Sequence, residues 1–236
     1  SKGFANSRGT FSTGQSSINI SDGIVLCTGP TSSLPGPNNL GNTNGGFAND
    51  SQNDPNLSSL TLGNQYDVSV IEFDFRPTAN MVQFEFVFGS EEYCEFVGSQ
   101  YNDVFGFFIS GPGITGVKNL AVIPNTTTPV SVNNVNHVLN KNFYVNNNKN
   151  YPCDNQTVFN SADIQLDGFT KVLTATANLV PCQTYHIKLA IADIADANYT
   201  SAVFLRANSF DAGGVVKATP VYPSAQPFTM EGCNNG

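Results

Sequence analysis

Hydrophobic and polar residues alternate with period two along much of this chain. Phe84, Phe86 and Phe88 are set against Gln83, Glu85 and Val87; Val68, Val70, Phe73 and Phe75 are set against Ser69, Glu72 and Asp74. Such alternation marks strands with one buried face. Residues 103–110 carry Val104, Phe105, Phe107, Phe108 and Ile109, dense enough for a strand covered on both sides. Further strands are expected at 23–27, 118–123, 130–132, 170–179, 184–193 and 201–209, with a terminal edge strand at 215–221. Residues 76–80, with Pro77 and Asn80, read as the turn of a hairpin joining the strands 68–75 and 81–88. No window of a dozen residues holds apolar positions at helical spacing, and Asn, Gly and Pro interrupt throughout. Residues 30–57 and 140–155 read as long loops rich in Asn and Gly. Roughly ten short strands separated by turn residues predict an all-β fold, an antiparallel β-sandwich of jelly-roll type.

Between the two aromatic runs lies an acidic segment. Glu91, Glu92, Glu95, Asn102 and Asp103 fall within residues 91–103, and no Lys or Arg occurs between Arg76 and Lys118. Carboxylates crowded at a strand end repel one another unless a cation, a basic partner or water intervenes. A local ion pair is unavailable, so a hard cation such as calcium, which takes oxygen ligands, suits the segment. The candidate ligands are Glu91, Glu92, Asn102, Asp103 and Asp193, with Glu92 and Asp103 preferred because strand-end residues hold fixed geometry. Asp193 ends a strand, and on a shared rim it and Asp103 would hold one ion together. Glu95 reads as a surface charge. The competing reading is a solvated loop in which Asp and Asn side chains satisfy turn backbone groups, a role that suits Asp196 better than Asp193.

Composition narrows the function further. Only 12% of residues are charged, and the net charge is −8 with a pI near 4.5. With no basic stripe to neutralise phosphates, nucleic acid is excluded as a partner. The longest apolar runs are strand-sized, so no direct membrane insertion by a helix is expected. Five cysteines, Cys27, Cys94, Cys153, Cys182 and Cys233, point to an oxidising compartment. None forms a CxxC pair and only two histidines exist, which makes a zinc site improbable.

Catalytic chemistry finds little support. His137 and His186 stand alone, and Ser90 has neither a GxSxG context nor a partner histidine. Tryptophan is absent. Tyr93 and Tyr101 remain as rings on which a sugar would stack, so glycan binding is a better expectation than glycan cleavage. The chain is therefore read as no enzyme.

The segment SEEYCEFVGSQYNDVFGFFISGPG resembles the signature of the choice-of-anchor L domain of secreted surface proteins of Bacteroidota. GIVLCTGP at 23–30, IPNTTTPVSVNNVN at 123–136 and DGFTKVLTATANLVPCQTYHIKLAIADIADANYTSAVFLRANSF at 167–210 agree with it, so the likeness spans about residues 9–210. Where such sequences carry Pro after Glu-Glu-Tyr, this chain has Cys94. The expected disulfides are Cys94–Cys153, special to this protein, and Cys182–Cys233, with Cys27 buried and free. Residues 1–221 form the domain, and 222–236 resemble a linker and the start of a Calx-beta-like repeat. The resemblance implies an adhesin-like module of a large cell-surface protein, delivered by type IX secretion and in some members associated with gliding motility. Its location would be extracellular, on the outer cell surface. Calcium-stabilised rim loops would bind polysaccharide or another surface protein, and further domains of the same long chain would flank it. A structural protomer that self-associates into filaments is the alternative; a glycan hydrolase ranks last.

Overall fold

The computed structural model describes residues 2–12, 17–41, 43, 47, 53–148, 153, 157–159 and 161–212. Its strands are β1 (Arg8–Ser12), β2 (Asp22–Cys27), β3 (Gln65–Phe75), β4 (Met81–Ser90), β5 (Val104–Ser110), β6 (Lys118–Asn119), β7 (Tyr144–Asn146), β8 (Gly168–Thr170), β9 (Leu173–Asn178), β10 (Tyr185–Ile194) and β11 (Ser201–Arg206). The only helical elements among the described residues are short 3-10 turns. All strand pairs are antiparallel. One sheet runs β1-β2-β11-β4-β8-β7, with β9 also on β4; the other runs β3-β10-β5-β6. The fold is an all-β sandwich, as the alternation predicts.

The aromatic runs form the inter-sheet core. Phe84, Phe86 and Phe88 project from β4 towards Phe105, Phe107 and Ile109 of β5, and all are buried. Phe84 meets Phe107 edge-on at 4.3 Å between ring centroids, and Phe86 meets Phe105 at 5.5 Å. Edge-to-face packing sets the positive ring edge against the negative face and adds to the hydrophobic gain of burial. The opposite face of β5 is covered too: Val104 and Phe108 join Leu57, Val68, Val70, Ala190, Ala192 and Ile194 in a second layer. This double cover explains the unbroken apolar run. It also requires Gly106, where a Cβ would sit 2.2 Å from the Phe108 ring.

Several strand expectations need correction. β3 and β4 do not form a hairpin. β3 pairs with β10 in one sheet while β4 pairs with β11, β8 and β9 in the other. Residues 76–80 are instead a corner between sheets, anchored where the Thr78 and Ala79 N–H groups both donate to the Ala212 carbonyl. Alternation identifies a half-buried strand but is silent on its partner. Residues 118–123 give the two-residue β6 and an isolated bridge from Val122 to Pro129, and 130–132 give only the bridge from Ser131 to Val104. The stretch 170–179 breaks at Lys171–Val172 into β8 and β9. Residues 215–221, the expected edge strand, and 222–236 lie outside the described residues.

Candidate functional site

Two carboxylate pairs cap the sandwich at one end, one on each sheet. β10 and β5 pair Ala192 with Val104, so one more step of the register sets Asp193 opposite Asp103. β4 and β8 pair Ser90 with Gly168, and the next step sets Glu91 opposite Asp167. Asp103, Asp193, Glu91 and Asp167 are all buried, as is Glu92. Of the acids in the segment only Glu95 is exposed, as expected of a surface charge; the others are withdrawn from solvent.

Asp103 is held on both oxygens. Its Oδ1 accepts the Ile194 N–H at 3.0 Å and its Oδ2 accepts the Ser201 hydroxyl at 2.6 Å. Ser90 Oγ lies 2.9 Å from Ser201 Oγ and caps the Glu92 N–H at 2.9 Å. Asp193 Oδ1 and Glu92 Oε2 have no hydrogen-bond partner. Burial raises the pKa of both aspartates; the Ser201 and Ile194 hydrogen bonds oppose the rise at Asp103, and the Asp103 charge adds to it at Asp193. Glu92 is likewise pushed up, first by burial and then by the charges of Asp103, Asp196 and Glu95. Asn102 does not join the cluster: its Oδ1 accepts the Asn133 N–H at 2.8 Å and ties the loop before β5 to the 131–136 turn. Asp196 caps its own turn by accepting the Asn198 N–H.

Glu91 belongs to the second pair, among side chains that the sequence presented as loop polarity. Asp167 Oδ1 accepts from Asn38 Nδ2 at 2.7 Å, and Asn38 Nδ2 also donates to the Asn147 carbonyl at 3.0 Å. Asn147 Nδ2 donates to the Leu166 carbonyl, and Asn148 Nδ2 to that of Tyr93. Asn38, Asn147, Asn148 and Asp167 are all buried. The sequence reading missed them because Asn runs are ordinary turn material. Asp167 did carry a signal: like Asp103, it immediately precedes a strand. Burial, reinforced by the Asp167 charge, pushes Glu91 up to about 9, and burial pushes Asp167 up to about 8.

No Lys or Arg among the described residues pairs with any of these five acids. Lys188 is committed to Asp54 at 2.6 Å, and Arg206 pairs with Glu85. Among the described residues no three acidic or histidine ligand atoms converge within 4.8 Å, so an ion here would be held by a carboxylate pair with neutral oxygens. Cys94 and Cys153 lie that close to His137. They are joined to each other in a disulfide, however, and offer no thiolates for zinc. Cys27 is buried and free; Cys233, the partner expected for Cys182, lies outside the described residues.

Tyr93 must be withdrawn as a glycan-stacking ring. It is 0% exposed, packs on Tyr144 at 4.9 Å, and its hydroxyl donates to the Val135 carbonyl at 2.7 Å. Tyr101 is half-buried at the rim, where its ring meets Phe96 edge-on at 5.4 Å. Phe96 also packs on Tyr199 at 5.0 Å, so three partly exposed aromatic rings stand together beside the first acid pair.

The described residues thus form an antiparallel β-sandwich with a buried acid pair at the end of each sheet. The family profile of the Choice-of-anchor L domain matches residues 1–211, and the chain belongs to that family. Membership makes it a surface-associated or secreted module of a family not known for enzymes. No curated protein and no solved structure matches it. No helix among the described residues is long and apolar enough to cross a membrane.

Proposed function

We propose that the chain is a non-catalytic adhesion module of the outer cell surface. Its rim offers Phe96, Tyr101 and Tyr199 to polysaccharide, and a calcium ion between Asp103 and Asp193 fixes the loops that carry them. The observation that supports this most is where those loops start and end. The loop bearing Phe96 and Tyr101 runs into Asp103, and the loop bearing Tyr199 leaves from Asp193 and Ile194. An ion between the two aspartates would offset their mutual repulsion and clamp both loops at their roots, with Glu92 as the nearest further carboxylate. Adjacent half-exposed rings are the surface on which sugar faces stack, through apolar contact and C–H groups against the ring face.

The test is retention of the protein on insoluble polysaccharides, with calcium and with chelator. Retention should require calcium, should fall at least tenfold in Tyr101→Ala and Phe96→Ala, and should release no reducing sugar. Calcium-independent retention would remove the ion from the reading. Retention unchanged by both aromatic substitutions would remove the platform and leave a surface protein as the partner to seek.

A further inference from the structure

Glu91 and Asp167 oppose each other at the end of the larger sheet, one register step beyond Ser90 and Gly168. Like charges placed directly opposite on neighbouring strands are destabilising even at a surface, and these two are 0% exposed. Neither oxygen of Glu91 has a hydrogen-bond partner, nor has Oδ2 of Asp167. Thr43 lies close enough to favour the ionised form of Glu91, yet its Oγ1 is unpartnered as well. Buried polar atoms are ordinarily satisfied, and several unsatisfied oxygens in one place call for a ligand that binds oxygen. A single shared proton would satisfy at most two of these three oxygens and leave the third without a partner.

We propose that Glu91 and Asp167 form a second divalent-cation site, a hard-oxygen centre for calcium separate from the Asp103–Asp193 pair. Both oxygens of Glu91, Oδ2 of Asp167 and Oγ1 of Thr43 supply four donors, and calcium accepts six to eight, with water completing the set. The amide lattice around Asp167 pre-orients it. Asn38 Nδ2 holds the other carboxylate oxygen, and Gln165 Nε2 in turn holds Asn38 Oδ1 at 3.2 Å. Asp167 cannot swing out to solvent without breaking that chain. An ion there joins β4 to the segment around Asn38 and, through the Asn147 N–H on the Asp167 carbonyl, to the stretch that follows β7. The inference rests on the reading of this rim as cation-binding, but it concerns a different pair of ligands.

Calcium stoichiometry, measured by equilibrium dialysis with radioactive calcium on the intact chain, decides it. Two ions per chain are expected for the wild type and one each for Asp167→Asn, Glu91→Gln and Asp103→Asn. One ion in the wild type, retained in Asp167→Asn and Glu91→Gln but lost in Asp103→Asn, overturns the second site and leaves the first standing. No ion in the wild type overturns both. Two ions surviving in both Glu91→Gln and Asp167→Asn would also overturn this assignment. The substitutions are near-isosteric, and circular dichroism confirms that each variant is folded. If one fails to fold, the other and the wild-type count still decide the question.

Discussion

The Ser201 hydroxyl donates to Asp103 Oδ2 at 2.6 Å and so bridges the two sheets, from β11 on one to the start of β5 on the other. Both residues are buried. Bonds to an ionised acceptor away from water are the stronger kind. Ser201→Ala removes the donor and leaves a carboxylate oxygen unsatisfied, which costs about 1–3 kcal/mol. Urea unfolding should register that loss. Ser21→Ala, at a part-buried hydroxyl that donates to its chain neighbour Asp22 at 2.7 Å, is the comparison and should cost less.

Tyr93→Phe separates a core role from a binding role. The phenol is buried and donates to the Val135 carbonyl, so losing its hydroxyl should destabilise by about 1–2 kcal/mol. Polysaccharide retention should not change. A drop in retention without a drop in stability would return Tyr93 to the binding surface.

The Cys94–Cys153 disulfide closes a loop of 59 residues around the Glu91–Asp167 end of the sandwich. A cross-link of that span limits the unfolded chain and contributes about 2–5 kcal/mol. The Cys94→Ser, Cys153→Ser double variant should melt lower by about that free energy, and peptide mapping without reductant should recover the two cysteines in one cross-linked fragment from the wild type.

Asp163 gives the pH dependence a definite sign. Burial alone would raise its pKa, but hydrogen bonds from the Ser161 hydroxyl at 2.6 Å and the Ser17 N–H at 2.9 Å outweigh it and hold the carboxyl below its ordinary value. A group depressed in the folded state adds stability above its unfolded pKa and loses it as pH falls through the folded one. Between about pH 5 and 2 the wild type should therefore lose more stability than Asp163→Asn. Parallel acid-titration curves for the two proteins would contradict this.

The sandwich was legible because period-two patterns are local. Phe84, Phe86 and Phe88 declare a buried face, and the unbroken run 104–109 declares two. Strand partnership was not legible. The pattern of β3 is equally compatible with a hairpin to β4 and with its true place beside β10, since either partner accepts the same face. At the site, Asp103 and Asp193 could be paired because each ends a strand. Asp167, Asn38 and Asn147 could not, because their shared environment is assembled from segments up to 129 residues apart. Tyr93 misled for a related reason. Its neighbours Glu91 and Glu92 read as ion ligands on an open rim, and only the packing shows all three buried.

Calcium should raise the melting temperature, and the increment should divide between the two acid pairs. Each buried pair brings carboxylates together with no basic side chain to neutralise them, so an ion that binds only the folded state stabilises that state. At a hundredfold excess over its dissociation constant, one ion contributes about 2.7 kcal/mol. For a domain of this size that corresponds to about 5–10 °C. Asp103→Asn keeps the shape, and its carbonyl can still accept the Ile194 N–H, so the fold should survive while part of the calcium-dependent shift is lost. Adding Glu91→Gln should remove the remainder. Glu95→Gln, at the exposed charge, should leave the shift intact. A wild-type melting curve indifferent to both calcium and chelator would mean that the acid pairs are neutralised by protons alone, and that the rim loops owe their order to Ser201, Asn102 and the disulfide.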